Sequence, residues 1–297
     1  MIESILQQVR RIPLPIRRAA QHIRLGAHRS RQRGSGFDFD QIKAYQHGDA
    51  VRKVNWAATA RRGGDTPLIN TYLDEQDSTV MLLVDLSASM AFGSARLTKK
   101  SLAAEVCASL TYSALMAHDR VGFLGFAADT LWYLPPRQSW SYLRAIPEYI
   151  LTCNAEGASV AYLDMVHSLD KWLNQACLIF LLSDFLTDDD QDLRDALIRL
   201  RRRHDVMSLR IADPLEMSLS SGYARLITRD LETGTIVPFS LTRKNRQALE
   251  RTIHTRTQTL GALFDRLHLP WLTITPLSNY VAQFTQFFAT HHGKVSA

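Results

Sequence analysis

Asp85, Ser87 and Ser89 stand at strict two-residue spacing directly after the apolar run Val80-Met-Leu-Leu-Val84. One carboxylate and two hydroxyls form an all-oxygen donor set of the kind a hard cation takes. Mg²⁺ prefers octahedral oxygen coordination at about 2.0–2.1 Å with few protein carboxylates and several waters, which leaves room for an acid supplied from outside. A second carboxylate, Asp184, closes the run Leu181-Leu-Ser-Asp-Phe185, and the loop Glu156-Gly-Ala-Ser159 precedes a stretch of helical period. The candidate set is therefore Asp85, Ser87, Ser89, Ser159 and Asp184, with Mg²⁺ as the expected ion and Mn²⁺ or Ca²⁺ as alternatives. Helix capping competes with ligation, because Ser, Thr and Asp after a strand are ordinary N-caps. That competition is sharpest for Ser159, and Asp184 with Asp188–Asp190 also fits the acidic first turn a helix dipole favours.

These residues need a scaffold that brings strand ends together, and from Thr79 onward the chain supplies one. Strand-length apolar runs at 80–86, 120–127, 177–185, 206–212 and 271–275 alternate with helical stretches at 97–118, 159–173 and 189–203. Alternation of this kind predicts a parallel sheet covered by helices, with strands apolar on both faces. Ligands in such sheets bind beyond the carboxyl ends of the strands, where Asp85 and Asp184 fall. Leu249, Ile253, Leu260, Phe264 and Leu267 predict an amphipathic helix over 242–267. A short hairpin is expected at 229–239, turning at Glu232-Thr-Gly234. Residues 34–78 show no clear period and are expected to be an extended segment wrapped on a domain spanning 79–290, with 291–297 as a tail.

The chain has 297 residues, 46% of them hydrophobic and 22% charged, so it fills a substantial core and is not disordered. No apolar run approaches the roughly 18 residues of a membrane span. Three cysteines, none at metal-ligand or CxxC spacing, argue against a disulfide framework and for a reducing, cytoplasmic setting. The basic charge is concentrated: residues 1–33 hold eight arginines and Glu3 as their only acid, a net +7 against +6 for the whole chain. Ile2, Ile5, Leu6 and Val9 place a short amphipathic helix in this arm, ended by Pro13 and Pro15. Packing against the protein's own body or a partner is expected for the arm, with peripheral contact to an anionic inner-membrane surface as the alternative.

The Asp85-Leu-Ser-Ala-Ser89 loop, the Ser183-Asp-Phe185 strand end and the Asp119-Arg-Val-Gly122 strand start resemble the von Willebrand factor A domain and its metal-ion-dependent adhesion site. The run from Gly36-Phe37 through Tyr45-Gln-His-Gly-Asp49-Ala-Val-Arg52-Lys-Val-Asn55-Trp56 is similar to a narrower bacterial family, domain of unknown function 58. The likeness continues through Phe92-Gly93, Ala212-Asp-Pro-Leu-Glu216 and Asp230-Leu-Glu-Thr-Gly234. The resemblance implies a Rossmann-like, mostly parallel α/β sheet flanked by helices. It also implies Asp85, Ser87 and Ser89 as direct or water-mediated ligands, Ser159 in place of a threonine, and Asp184 as a water-bridged acid. The implied partner is a MoxR-type AAA+ ATPase, with the chain as a non-enzymatic adaptor in protein maturation or stress response for a client presenting an acidic residue. Tyr45, Asp49, Arg52 and Trp56 are candidate partner contacts, against a structural role in which Trp56 packs a helix or sheet edge and Asp49 pairs with Arg52.

Other classes fit less well. A metal-dependent phosphatase or nuclease would use Asp85 and Asp184 to activate water. A haloacid-dehalogenase-type phosphatase, however, wants an acid where Ser87 stands. There is no phosphate-binding GxxxxGK[ST] loop and no G-x-S-x-G elbow. Nucleic-acid binding through the N-terminal arginines or Arg199–His204 has charge but no accompanying motif. The expectation is therefore a binding protein.

Overall fold

The computed structural model describes residues 38–291, except 47–50, 64–65, 74–77, 96, 128–129, 154–159, 188, 218–224, 230–235 and 241–242, together with positions 3 and 5. The chain divides into two compact units, residues 28–77 and the remainder.

The larger unit is built on a six-stranded sheet. Its strands are β3 (Thr79–Asp85), β4 (Arg120–Ala127), β5 (Thr130–Arg137), β6 (Leu178–Ser183), β7 (Asp205–Ile211) and β10 (Trp271–Ile274). They lie in the order β10-β7-β6-β3-β4-β5, all parallel except the edge strand β5. The α/β class and mostly parallel sheet implied by the sequence are what the chain forms.

Every residue of β3 is buried, because the strand feeds two cores at once. Val80, Leu82 and Val84 face the cluster with α2 (Lys99–Met116), α3 (Tyr142–Thr152) and α8 (Tyr280–His291). Met81 and Leu83 face α4 (Tyr162–Trp172), α5 (Asp190–Arg203) and α7 (Arg243–Arg266). Period-2 side-chain alternation thus turns a continuous apolar run into two opposite packing surfaces. Helix α2 is buried along nearly its whole length and is capped by Thr98, whose hydroxyl accepts from Ser101 N. Only the C-terminal half of the α7 stripe is buried, at Leu260 and Phe264. In the arm, Glu3 and Ile5 are helical, and Ile5 is 6% exposed within the first cluster; the rest of the arm lies outside the described residues.

Two elements escape the periodicity. β5 pairs antiparallel at the edge and carries Pro135 and Pro136, which a strand tolerates only where no ladder donor is needed. Helix α3 runs through Pro147. The hairpin is present as β8 (Arg225–Arg229) and β9 (Ile236–Ser240), starting earlier than expected, and its turn lies outside the described residues.

The smaller unit has regular structure where no period was legible. β1 (Asp38–Ala44) pairs antiparallel with β2 (Leu68–Leu73), and a short helix, α1 (Trp56–Arg62), lies between them in sequence. Asn55 caps α1 by accepting from Ala58 N at 2.9 Å and donates to Asn70 Oδ1 of β2 at 3.0 Å. Thr59 Oγ1 accepts from Leu68 N at 2.9 Å, so helix and strand are tied by hydrogen bonds in place of a long apolar stripe.

The fold sets the site through close backbone approach on β4. Gly125 sits opposite Val84 in the parallel ladder, and a Cβ there would stand 2.5 Å from the Leu86 side chain, next to Asp85. Gly125→Val should therefore lower stability by about 1–3 kcal/mol through overpacking, read as a lower midpoint in denaturant unfolding; a wild-type midpoint would contradict this account of the strand.

Candidate metal centre

The loop after β3 leaves the sheet between two neighbours, with Leu86 N donating to Phe126 O at 2.8 Å. Asp85 is 1% exposed. Its Oδ1 accepts from Ser87 N at 2.9 Å and its Oδ2 from the Ser183 hydroxyl at 2.6 Å. Ser183 is held in turn by Phe185 N, which donates to its Oγ at 2.8 Å, and by the Tyr162 hydroxyl at 2.8 Å. Phe185 adopts a left-handed backbone, φ 54°, uncommon for a bulky residue. Its ring lies parallel to Tyr162 and edge-on to Phe264, at centroid distances of 6.4 and 5.2 Å. Packing thus over-determines the turn that carries Asp184.

No Lys, Arg or His pairs with Asp85 among the described residues. Burial pushes its carboxyl up to about 6, and the charge of Asp184 pushes the same way. Hydrogen bonds from Ser183 and Ser87 oppose the rise without cancelling it.

Asp184 is in the opposite state. Its Oδ2 takes Lys99 Nζ at 2.7 Å and its Oδ1 takes Leu186 N at 2.9 Å. Lys99, the first residue of α2, is 0% exposed and also reaches Glu216 Oε1, on the short helix α6 (Pro214–Met217), at 2.5 Å. Burial works against its charge, but Asp184 and Glu216 outweigh that and hold its pKa above the ordinary value. Glu216 Oε2 accepts from Asp213 N at 3.1 Å, while Asp213 binds Ser94 through both the backbone N, at 2.7 Å, and the hydroxyl. The Phe92 ring centroid lies 5.9 Å from Lys99 Nζ. Gly93 permits this turn, since a Cβ there would meet Thr98 Cα at 2.6 Å.

The structure therefore brings Asp85, Ser87, Ser89 and Asp184 to the carboxyl edge, with Asp184 already paired. Ser159 lies outside the described residues. Capping of α4 falls to another group: its N-cap is Ala161, and Asp192 accepts from Tyr162 N and Leu163 N at 2.7 and 3.1 Å. Asp189 caps α5, as the acidic run suggested. Lys99, Glu216, Asp213 and Tyr162 were not singled out from the sequence for this site; Phe92-Gly93 and the Asp213–Glu216 run were visible motifs without an assigned role.

The donors present fit a hard cation. Ser87 Oγ and Ser89 Oγ are 3.0 Å apart, close to the roughly 3 Å between neighbouring oxygens around an octahedral ion with bonds of about 2.0–2.1 Å. Beside them is a buried carboxylate without a counter-charge among the described residues. Among the described residues no three His, Cys, Asp or Glu side chains converge, so coordination here would depend on hydroxyls and water. Nucleophile chemistry finds no support at the opposite edge, where Cys177 Sγ lies 3.2 Å from His204 Nδ1. Burial raises the thiol to about 12 and lowers the imidazole to about 4, leaving both neutral.

In the smaller unit, Arg52 and Trp56 are exposed, Trp56 by 65%, so the expectation that Trp56 packs against an edge is not met. Tyr45 is half-buried, and Asp49 lies outside the described residues together with any pairing to Arg52.

A profile of the family described as protein of unknown function DUF58 matches residues 41–259, and the chain belongs to that family. An uncharacterized protein of Mycobacterium tuberculosis is 23% identical over 287 residues, covering 95% of this chain and 88% of that one. An uncharacterized protein of Mycobacterium bovis matches with the same figures. Among solved structures, conserved hypothetical protein BatB from Bacteroides thetaiotaomicron is similar with a TM-score of 0.45 and 13% identity, covering 72% of this chain and 98% of that one. The SpRpn10 VWA domain gives 0.38 and 11%, covering 70% and 94%.

The raised carboxyl has a thermodynamic consequence. Asp85 ionises near pH 4 unfolded but near 6 folded, so stability is highest when the group is protonated in both states and falls as pH rises from about 4 to 6. In EDTA, Asp85→Asn should be more stable than wild type at pH 7 by on the order of 2–3 kcal/mol, the difference fading below about pH 4. In that variant the Ser183 hydroxyl would accept from the new amide in place of donating. Denaturant unfolding across this range checks it, and a constant difference between the two proteins would contradict the assignment.

Proposed function

We propose that this DUF58 chain is a non-enzymatic protein-binding module. In this reading Asp85, Ser87 and Ser89 hold a Mg²⁺ ion that recognises an acidic side chain of a partner. The observation that carries it is a fully buried carboxylate with no cationic partner among the described residues, set beside two hydroxyls at ligand-to-ligand spacing. Ser159 is a further expected oxygen donor. Bound there, the divalent ion would supply strong, directional attraction for a carboxylate, which a surface ion pair screened by water does not.

The chain's own residues set the conditions. Ser183 and Ser87 N fix the rotation of the Asp85 carboxyl, and Tyr162 and Phe185 lock Ser183. Leu86 and Met90, both buried, keep water from the back of the loop. An enzyme reading needs two acids free to share a metal or a water, and Asp184 is bound to Lys99. The resemblance supports a MoxR-type AAA+ ATPase as the larger assembly, with the chain as adaptor for a client bearing the acid. Exposed Arg52 and Trp56 in the smaller unit form a second contact surface for that ATPase.

Affinity capture from a native lysate with wild type and Asp85→Ala, each in Mg²⁺ or EDTA and with an RNase-treated control, tests this. A defined client or AAA+ ATPase should be retained only by wild type in Mg²⁺, and identical captures in all four samples would refute metal-bridged recognition. Arg52→Ala should keep the wild-type melting temperature while losing the ATPase; retention of the ATPase at full yield would remove the second surface.

A further inference from the structure

We infer that Lys99 sets the selectivity of this metal site: it ties up Asp184 in an internal ion pair, leaving Asp85 as the one carboxylate among the described residues for the cation, so that a partner must supply the second. The inference rests on the metal-site reading above and adds a residue to it.

Lys99 has no exposed surface, and a buried ammonium is tolerated only where its donors are satisfied. Asp184 Oδ2 and Glu216 Oε1 take two of its three donors at 2.7 and 2.5 Å. The other Asp184 oxygen is committed to Leu186 N. Glu216 is braced through Asp213 to Ser94, so the pair is anchored from both the β6 and β7 ends and is not a chance surface contact.

Charge counting gives the consequence. A divalent ion with two protein carboxylates is neutral and has little electrostatic call for a third. With Asp85 alone the ion and its ligand keep a net positive charge, which attracts a carboxylate and leaves a neutral amide or hydroxyl without that gain. The competing account makes Lys99 purely architectural, joining the start of α2 to two strand ends. That account predicts effects on stability and no coupling between Lys99 and Asp184 in metal affinity.

Mn²⁺ binding to the full chain, read from the loss of the free-ion paramagnetic resonance signal, separates the two. Wild type should bind Mn²⁺, Asp85→Asn should weaken it by about thirtyfold or more, and Asp184→Asn by about threefold or less. In a Lys99→Met background Asp184 is released toward the ion, so Asp184→Asn should there cost at least tenfold. Equal costs of Asp184→Asn with and without Lys99 would overturn the inference. Should Lys99→Met fail to fold, the Asp85→Asn and Asp184→Asn pair still decides, since equal losses would place both acids on the metal. Failure of wild type to bind Mn²⁺ would overturn the metal-site reading itself, and this inference with it.

Discussion

Within one strand-end cluster the buried Lys99 and Asp184 neutralise each other, while the equally buried Asp85 has no cationic partner among the described residues. Burying an ion is costly unless partners replace the water it loses. Lys99 has those partners in Asp184 and Glu216; Asp85 has hydrogen bonds but, among the described residues, no opposite charge. Much of the surrounding structure serves this imbalance. β3 must be buried on both faces for Asp85 to end where it does. β6 must sit beside it in parallel register for Ser183 to reach the carboxyl. α4 must bring Tyr162 under Ser183. Such an arrangement costs stability once the carboxyl ionises, and under the proposed metal reading a cation would offset that cost, so stability and binding would oppose each other at one residue.

Legibility followed distance along the chain. Four central strands were readable to within two residues because each is buried on both faces and therefore mostly apolar, with Ser208 and Arg210 as the polar interruptions in β7. β5 was not, since an edge strand may carry Pro135-Pro136 and need not be wholly apolar. The smaller unit was unreadable for another reason: a seven-residue helix with no buried residue writes no stripe, and hydrogen bonds from Asn55 and Thr59 hold it.

The site divides the same way. Asp85, Ser87 and Ser89 lie within five residues and their spacing is their signal. The Lys99 to Glu216 contact joins positions separated by 117 residues, and nothing in a lysine at the start of a helix announces a partner so far away. The residues around Glu216 were visible as a motif, yet its purpose is legible only once β7 is placed beside β6. Trp56 shows the converse: a conspicuous aromatic suggests a core role, and solvent exposure assigns it to the surface.

In the proposed reading, the carboxyl edge serves recognition in place of turnover. General acid–base or metal-assisted hydrolysis requires a second group that can take or give a proton within reach of the reacting atom. Around Asp85 the described neighbours are hydroxyls and a backbone N–H, and the nearby acid is held by Lys99. At the opposite edge Cys177 and His204 are close enough to interact but are held neutral by burial, so proximity there yields no reactive pair. One uncompensated carboxylate beside two hydroxyls can hold a cation and fix its orientation. In the proposed reading, a cation held so sparsely would be defined by the charge it still lacks, and an acidic side chain would be the ligand that supplies it.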